Sequence, residues 1–345
     1  TYYERVFYYP MKASNKLYFL ITYGCQMNEA DSLWLEKIFE KCGYSKAEGI
    51  ADANVILINS CSVRQAAEDK VYGLAKKLKE FKIKNLRLKI VLTGCMVGSA
   101  TGDRRRIKLD TLEKRMPWVD YFVPPGDVFQ RLPEILFSGE RGQLRENPSS
   151  IDQNGVEELT GFGESPAGVV VNEDEAYVPI MRGCNNFCSY CAVPFGRGAE
   201  TYRDFSDIVR DVQRLVEDGV TSVTLLGQNV NSYPNFAKLL DEVHNIKGLE
   251  ELWFLTSNPW DFPEELIDVI ALPKIRKHLH LALQSGDNKI LKRMNRPYTI
   301  EEYKGLILRI REKVPEIKLG TDLIVGFPGE TEEQFQHTVD AVKDI

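Results

Sequence analysis

The chain has 345 residues, 27% of them charged, with a formal net charge of −6. This length allows two domains with separate cores, and no apolar run is long enough to cross a bilayer, so we expect no membrane partner. Seven cysteines without a secretory signal argue against a disulfide framework and favour a reducing, cytoplasmic compartment. The negative net charge gives no global indication of a nucleic-acid partner, so such a site must be a local patch.

The first part of the chain, residues 16–138, alternates strand-like and helical patterns and is expected to form one domain. The β-rich runs lie at 17–23, 55–58 and 89–93, and the helical patterns at about 29–42 and 63–81. In the first helix, Asn28 is expected as the N-cap and Gly43 as the residue just past the end. Its apolar stripe comprises Leu35, Ile38, Phe39 and Cys42. Strands separated by helices predict an α/β fold with a parallel sheet and right-handed crossovers.

A cysteine follows the end of each of these three strands. Cys25, Cys61 and Cys95, here called the strand trio, each lie in a turn next to Gly or Ser. Because the carboxyl ends of parallel strands meet at one edge of a sheet, we expect the three thiols to share a metal site. The alternative is three separate buried cysteines, since free cysteine is often buried. Cys42 is the contrast, because its place on the apolar stripe predicts core packing.

Residues 139–174 lose periodicity and are rich in Gly, Ser, Pro, Asn and acidic residues, which indicates a linker or a long surface crossover. A second alternating pattern fills residues 175–345. Its strand-like segments are 177–181, 222–226, 252–256, 278–283 and 318–325. Its helical segments are roughly 207–218, 235–244, 263–270, 300–313 and 332–345, with Gly219 just past the first. Such a run of β/α units predicts a (β/α) barrel or part of one.

Three cysteines follow the first strand of this predicted barrel with the spacing Cys184-x3-Cys188-x2-Cys191, and they are here called the loop trio. Chemistry in such barrels sits at the carboxyl ends of the strands. A cubane [4Fe–4S] cluster has four irons, so three thiolates leave one iron with an open position for a small molecule. Zinc or a redox pair is the less favoured alternative, because a structural zinc site needs four ligands and no fourth Cys or His is nearby.

Both trios and their flanking residues occur in an order that resembles the radical S-adenosylmethionine (SAM) methylthiotransferases. The matching motifs are residues 23–28, 59–64, 94–96, 182–188 and 226–233. The likeness is greatest to the MiaB-type members that modify tRNA, and it covers about residues 17–345. It implies an N-terminal methylthiotransferase domain followed by a radical SAM partial barrel. It also implies a sixth barrel strand and a small RNA-binding TRAM-type module, both of which we expect to be absent from this chain.

The resemblance implies two [4Fe–4S] clusters with different tasks. The cluster on the loop trio would cleave SAM to a radical, and the cluster on the strand trio would donate sulfur. The implied activity is that of a transferase, which adds a methylthio group to C2 of an isopentenylated adenosine beside the tRNA anticodon. No catalytic residue beyond the clusters is implied. The implied partners are tRNA, an electron donor such as flavodoxin or ferredoxin, and iron–sulfur assembly proteins.

Further residues are carried over from the resemblance as SAM contacts, namely Tyr190, Glu200, Gln228, Gln284, Gly326 and Glu330. Tyr190 resembles the aromatic residue that lies beside the adenine, and residues 326–330 resemble the Gly-rich turn near the adenosyl group. A purely structural role stays open as the alternative to SAM contact: loop packing for Tyr190, turn capping for Gln228 and a plain strand–helix turn for residues 326–330. The chain departs from the family pattern at Ala199, Tyr202, Asn258, Trp260 and Asp287.

Two other functions stay open from the sequence. The same chemistry could act on a ribosomal protein or on a threonylcarbamoyl-adenosine of tRNA, although Ser285 after Gln284 favours the tRNA branch over the ribosomal-protein branch. The chain could also be a non-catalytic iron–sulfur electron carrier, which predicts two clusters but no 5′-deoxyadenosine when SAM and a reductant are added.

Overall fold

A computed structural model describes residues 16–63, 65–102, 104–137 and 169–345. Two α/β units follow one another along the chain, and each contains a sheet built mainly of parallel strands. Most of the segment predicted as a linker, residues 139–168, lies outside the described residues. Its last part contains a short strand, β6 (Val169–Val170), which pairs antiparallel with the first long strand of the second unit.

The first unit is built on one parallel sheet. Its strands are β1 (Leu17–Tyr23), β2 (Ser45–Lys46), β3 (Val55–Ser60), β4 (Lys89–Thr93) and β5 (Tyr121–Phe122). Their order in the sheet is β2–β1–β3–β4–β5. The central strand β3 is buried along its whole length, as expected for a parallel sheet covered on both faces. Ile56 and Ile58 pack into the core on one face, and Val55 and Leu57 into the core on the other.

Among the described residues, six helices cover this sheet, and the first confirms its predicted stripe. They are α1 (Gln26–Lys41), α2 (Gln65–Gly73), α3 (Ala75–Lys84), α4 (Cys95–Thr101), α5 (Leu109–Arg115) and α6 (Val128–Phe137). The predicted stripe of Leu35, Ile38, Phe39 and Cys42 is buried against the sheet. Gly43 has φ +79°, a left-handed conformation that suits glycine, and it ends α1 as predicted.

Two predictions about the helices of the first unit were wrong. The N-cap of α1 is Cys25 rather than Asn28, because the Cys25 carbonyl accepts from the backbone N–H groups of Asn28 and Glu29. The single helix predicted at 63–81 is two helices, α2 and α3, which separate after Gly73, a residue of low helix propensity.

The second unit contains, after β6, the strands β7 (Glu175–Pro179), β8 (Met181–Arg182), β9 (Thr201–Tyr202), β10 (Ser222–Leu226), β11 (Glu251–Phe254), β12 (His278–His280) and β13 (Lys318–Gly320). Strands β7, β10 and β11 lie side by side in parallel, with Ser222 of β10 paired to Glu175 on one side and to Glu251 on the other. A parallel bridge between Ser257 and Leu281 continues the series to β12, which pairs with β13. The predicted partial (β/α) barrel is confirmed.

The helices of the second unit follow its strands in alternation. They are α7 (Val193–Gly196), α8 (Phe205–Glu217), α9 (Phe236–His244), α10 (Glu264–Ile270), α11 (Asn288–Arg293), α12 (Ile300–Lys313) and α13 (Glu332–Asp344). Thr299 and Thr331 begin α12 and α13 with capping boxes. Within the described ranges, no helix combines the length and apolarity needed to span a bilayer.

The last strands are shorter than the sequence predicts, and the sequence did not predict the helices α7 and α11 here or α4, α5 and α6 in the first unit. The pairing of β12 and β13 ends at His280 and Gly320 although apolar residues follow, and beyond it Gln284 has φ +70°, which does not fit a regular strand. Helix α11 has only six residues, too few for a clear apolar period. Asp287, a departure from the family pattern, is its N-cap and accepts from the backbone N–H groups of Lys289 and Ile290.

Candidate functional site

The strand trio lies at the carboxyl edge of three neighbouring strands. Cys25 follows β1, Cys61 follows β3 and Cys95 follows β4, and these strands are adjacent in the sheet. The backbone N–H of Cys61 donates to the Tyr23 carbonyl at 2.7 Å, which ties the first two turns together. Gly94 has φ +92°, and a Cβ there would lie 2.5 Å from the Ser60 carbonyl oxygen, so the third turn needs glycine. The structure therefore brings together the three thiols that the sequence predicts to meet.

The thiols of the strand trio interact directly with one another. The Cys61 thiol donates a hydrogen bond to Cys95, which raises the pKa of Cys61 and lowers the pKa of Cys95. The negative charge of Cys25 adds to the rise at Cys61. The Arg197 guanidinium donates through Nε to Cys95 Sγ at 3.2 Å and lowers the pKa of Cys95 further.

A buried ion-pair cluster connects the strand trio to the second unit, and the sequence did not predict it. Asp31 on α1 binds Arg182 Nη2 through Oδ1 at 2.7 Å and Arg197 Nη1 through Oδ2 at 2.6 Å. Arg182 lies two residues before Cys184, and Arg197 lies six residues after Cys191. One carboxylate therefore holds both ends of the cysteine loop against the first unit.

A signal for these buried polar residues was present in α1. Asn28, Asp31 and Ser32 extend the apolar stripe toward the N-terminus of the helix at the same three- and four-residue spacing. All three are buried, and Asn28 Nδ2 donates to Asn59 Oδ1 on β3 at 2.9 Å. Polar residues on a buried stripe indicate a polar contact inside the protein.

The loop trio follows the first barrel strand, β7, as predicted, and it begins two residues after the short strand β8. Its thiols are largely enclosed. Burial raises the pKa of Cys184 to about 12 and also raises the pKa of Cys191. Gly183 has φ +78°, and a Cβ there would lie 2.0 Å from the Ala199 carbonyl oxygen, so only glycine fits before Cys184. Neutral thiols in such a place lose their protons when a metal replaces them.

A segment that the sequence analysis passed over, residues 293–296 at the end of α11, anchors the loop trio. Ser189 donates through its backbone N–H to the Met294 carbonyl at 3.0 Å and through Oγ to the Arg293 carbonyl at 3.0 Å. Asn295 Nδ2 donates to two carbonyls of the loop at 3.1 Å each. The buried Arg296 approaches Cys188 Sγ at 3.8 Å. These contacts tie the loop to the end of α11, in addition to the ion pairs that Asp31 makes with its flanking arginines.

Three of the predicted SAM contacts lie in or against the cysteine loop. Gln228 Oε1 accepts from the backbone N–H of Gly183 at 2.7 Å. Glu200 Oε1 accepts from the backbone N–H of Asn185 at 3.1 Å and from Asn229 Nδ2 at 3.3 Å. Tyr190 accepts at its hydroxyl from Arg296 at 3.4 Å, and burial raises its pKa. In this structure the three side chains support the loop, and their contact with SAM stays a prediction.

The other three predicted SAM contacts lie farther along the barrel. Gln284 is buried after β12 and forms a bridge with Leu323. Glu330 Oε2 accepts from the backbone N–H groups of Gly326 at 2.6 Å and Phe327 at 3.2 Å, so it closes the Gly-rich turn. Arg293 Nη1 donates to the Gly329 carbonyl at 3.0 Å and joins this turn to the segment that anchors the loop trio.

A close contact connects the two trios: α4, which begins at Cys95, packs against α7, which follows Cys191. A Cβ on Gly98 would lie 2.0 Å from the Gly196 carbonyl oxygen, so these backbones touch. The spacing of the two thiol sites is thus set by direct backbone contact as well as by Asp31.

Comparison with known proteins matches both units. Residues 17–123 match the model of Uncharacterized protein family UPF0004, and residues 178–342 match the Radical SAM superfamily. A tRNA-2-methylthio-N(6)-dimethylallyladenosine synthase of Dictyoglomus thermophilum is 42% identical, over 95% of this chain and 73% of the relative. One of the same name from Clostridium tetani is 41% identical, over 95% of this chain and 71% of the relative. The chain belongs to this synthase family.

Solved structures of other radical SAM proteins share the fold. The methyltransferase TsrM of Kitasatospora setae aligns over 95% of this chain and 71% of its own, with a TM-score of 0.64 and 15% identity. The cobalamin-dependent radical enzyme OxsB aligns over 94% of this chain and 52% of its own, with a TM-score of 0.60 and 13% identity. At these identities the likeness concerns the fold alone.

The donor sets of this synthase-family member are suited to cubane clusters with three protein ligands. Backbone N–H groups point at the sulfurs, from Val63 to Cys61 at 3.3 Å and from Val193 to Cys191 at 3.4 Å, as cluster thiolates require. Across the described ranges, no three Cys, His, Asp or Glu side chains meet in the arrangement of a single-ion site. A cubane differs in this respect, because each thiolate binds a different iron and the sulfurs stand farther apart.

Proposed function

We propose that this chain adds a methylthio group to C2 of an isopentenylated adenosine next to the anticodon of tRNA. The observation that carries the proposal is the pairing of two thiol trios, from two α/β units, across the contact between α4 and α7. The identity of 40–42% to synthases named for this modification supports the same substrate. It favours the adenosine over the ribosomal-protein and threonylcarbamoyl-adenosine alternatives.

The six cysteines are proposed as ligands of two [4Fe–4S] clusters. When bound, the cluster on the loop trio supplies the open iron and the electron for SAM cleavage, and the cluster on the strand trio supplies sulfur. The protein supplies the geometry: α4 and α7 fix the spacing, and Asp31 fixes the two arginines that flank the loop. Burial of Cys95 and Cys188 keeps water from the sulfur atoms.

The SAM contacts are proposed on the wall formed by the ends of the barrel strands. Tyr190, Glu200 and Gln228 already hold the loop trio, and their positions would place SAM against its open iron. Gly326 and Glu330 form the turn proposed for the adenosyl end, with Gln284 between the two groups. The proposed partners are tRNA, a flavodoxin or ferredoxin as electron donor, and iron–sulfur assembly proteins, all in the cytoplasm.

The test is a tRNA digest after reaction with the anaerobically reconstituted protein, SAM and a reductant. We expect mass spectrometry to show isopentenyladenosine converted to its methylthio derivative, together with 5′-deoxyadenosine. A mass gain on another nucleoside or on a ribosomal protein would contradict the proposed substrate. Full iron loading without any 5′-deoxyadenosine would instead favour an electron carrier.

A further inference from the structure

The guanidinium of Arg197 makes hydrogen bonds through two of its three nitrogens within the described part of the chain. Its side chain is only 3% exposed, its Nε donates to Cys95 Sγ at 3.2 Å, and its Nη1 binds Asp31 at 2.6 Å. Its Nη2 is buried and has no hydrogen-bond partner among the described residues. A buried cationic donor without a partner is costly, so this position calls for an additional acceptor.

The direction of the free nitrogen follows from the planar guanidinium. The Nε–H and one N–H of Nη2 form a parallel fork, the edge with which arginine takes carboxylates and other anions. Because Nε already donates to Cys95 Sγ, Nη2 points to the same side, next to the strand trio. The free donor therefore lies on the same edge of the guanidinium as the contact with Cys95, a member of the strand trio.

The charges around Arg197 favour an anion there. Arg182 and Arg197 share a single carboxylate, Asp31, so two cations meet one carboxylate beside Cys95. Arg203 provides a comparison within the same chain. It is also buried and paired with one carboxylate, Asp211, but among the described residues its Nε has no partner and no thiol bonds to its guanidinium.

We propose that Arg197 binds the anionic sulfur species that occupies the open position at the strand trio, a hydrosulfide or an alkyl thiolate. Asp31 is the positioning residue, because it holds Nη1 and so turns the free edge toward the trio. This inference rests on the proposed function, since it requires a cluster on Cys25, Cys61 and Cys95. It adds a protein group that holds the sulfur to be transferred.

The experiment measures sulfur binding directly. Wild type, Arg197→Gln, Arg197→Lys and the control Arg203→Gln are reconstituted anaerobically, and excess SAM covers the open iron of the loop trio. Sodium hydrosulfide and sodium methanethiolate are titrated separately while the Mössbauer spectrum and the iron content are recorded. We expect Arg197→Gln to weaken the binding of at least one probe by tenfold or more, Arg197→Lys to weaken it less, and Arg203→Gln to match wild type.

The probe whose affinity falls more in Arg197→Gln identifies the sulfur species that Arg197 binds. Equal affinities in wild type and Arg197→Gln for both probes, at equal iron content, would overturn the inference. If Arg197→Gln loses iron, Arg197→Lys becomes the deciding variant. Wild-type iron content together with restored probe binding in Arg197→Lys supports the role of the charge, whereas wild-type iron content without probe binding overturns it. Wild-type protein with only about four irons would overturn the proposed second cluster, which is a different failure.

Discussion

The strand trio and the loop trio each bring three cysteines together, but the chain assembles them in different ways. The strand trio is assembled from residues up to seventy positions apart, and the sheet of the first unit brings them to one edge. The loop trio lies within eight residues, and side chains from elsewhere in the barrel hold it in place. A site built on strand ends depends on the fold of its domain, whereas a site built on one loop depends on its anchors.

The largest expected effect separates the tasks of the two trios. Cys184→Ala should abolish SAM cleavage, because the loop trio then lacks a ligand beside its open iron. Cys61→Ala should abolish methylthiolation of tRNA and leave SAM cleavage in place. The measurement is 5′-deoxyadenosine and modified nucleoside in one reaction, with Cys42→Ala as a matched control for the loss of a buried thiol. Methylthiolated tRNA from Cys61→Ala would remove the strand trio from its assigned role.

The next largest effect concerns the contact between the two sites. Gly98→Ala places a methyl group 2.0 Å from the Gly196 carbonyl oxygen, and neither backbone can yield cheaply. We expect a loss of up to about 3 kcal/mol in the free energy of unfolding. Methylthiolation should fall more than SAM cleavage, since the spacing between sites changes.

The matched control is Gly305→Ala on α12, where an added Cβ meets nothing within 4 Å. It should raise stability by about 0.5–1 kcal/mol, as alanine usually does in a helix. Equal behaviour of the two variants in denaturant would show that the contact between α4 and α7 is not rigid.

A smaller effect is expected from the polar end of the α1 stripe. Asn28→Ala leaves the side-chain oxygen of Asn59 buried without its donor, and it removes the oxygen that Cys25 Sγ approaches at 3.5 Å. The expected loss is about 1–2 kcal/mol of unfolding free energy, with weaker iron retention at the strand trio alone. Cys184→Ala protein, which has only the strand trio intact, is the background in which to measure that retention. Unchanged iron release in this background would exclude the role of Asn28.

The smallest effect lies away from both sites, at the start of α12. Thr299→Ala removes the capping box and should cost about 1 kcal/mol, whereas Thr299→Ser keeps the hydroxyl and most of the stability. Thermal unfolding measures both variants. Both should retain full iron, and a loss of iron from either would mean that the second unit transmits strain to its cysteine loop.

The sequence predicted those parts of the site that arise from local pattern. Cys25, Cys61 and Cys95 each follow a recognisable strand, and the loop trio has a characteristic spacing, so both were found. The order of the parallel sheet places the first set together without further information.

The contacts between the two units could not be predicted in this way. Asp31 meets Arg182 and Arg197 across more than 150 positions, and nothing local specifies which buried charges will pair. Asn28 looked like a helix cap because its residue type favours that position, but the pairing with Asn59 placed it inside α1. The ends of β12 and β13 were missed because apolar residues continue after the pairing stops.

Mössbauer spectroscopy with iron and sulfide analysis, on anaerobically reconstituted wild type and Cys61→Ala, tests most directly that each trio holds its own cluster. The account predicts about eight irons and eight sulfides per wild-type chain, and about half of each in the variant, with a SAM-dependent change at one iron site in both. About four irons in both proteins, or zinc in place of iron, would contradict it.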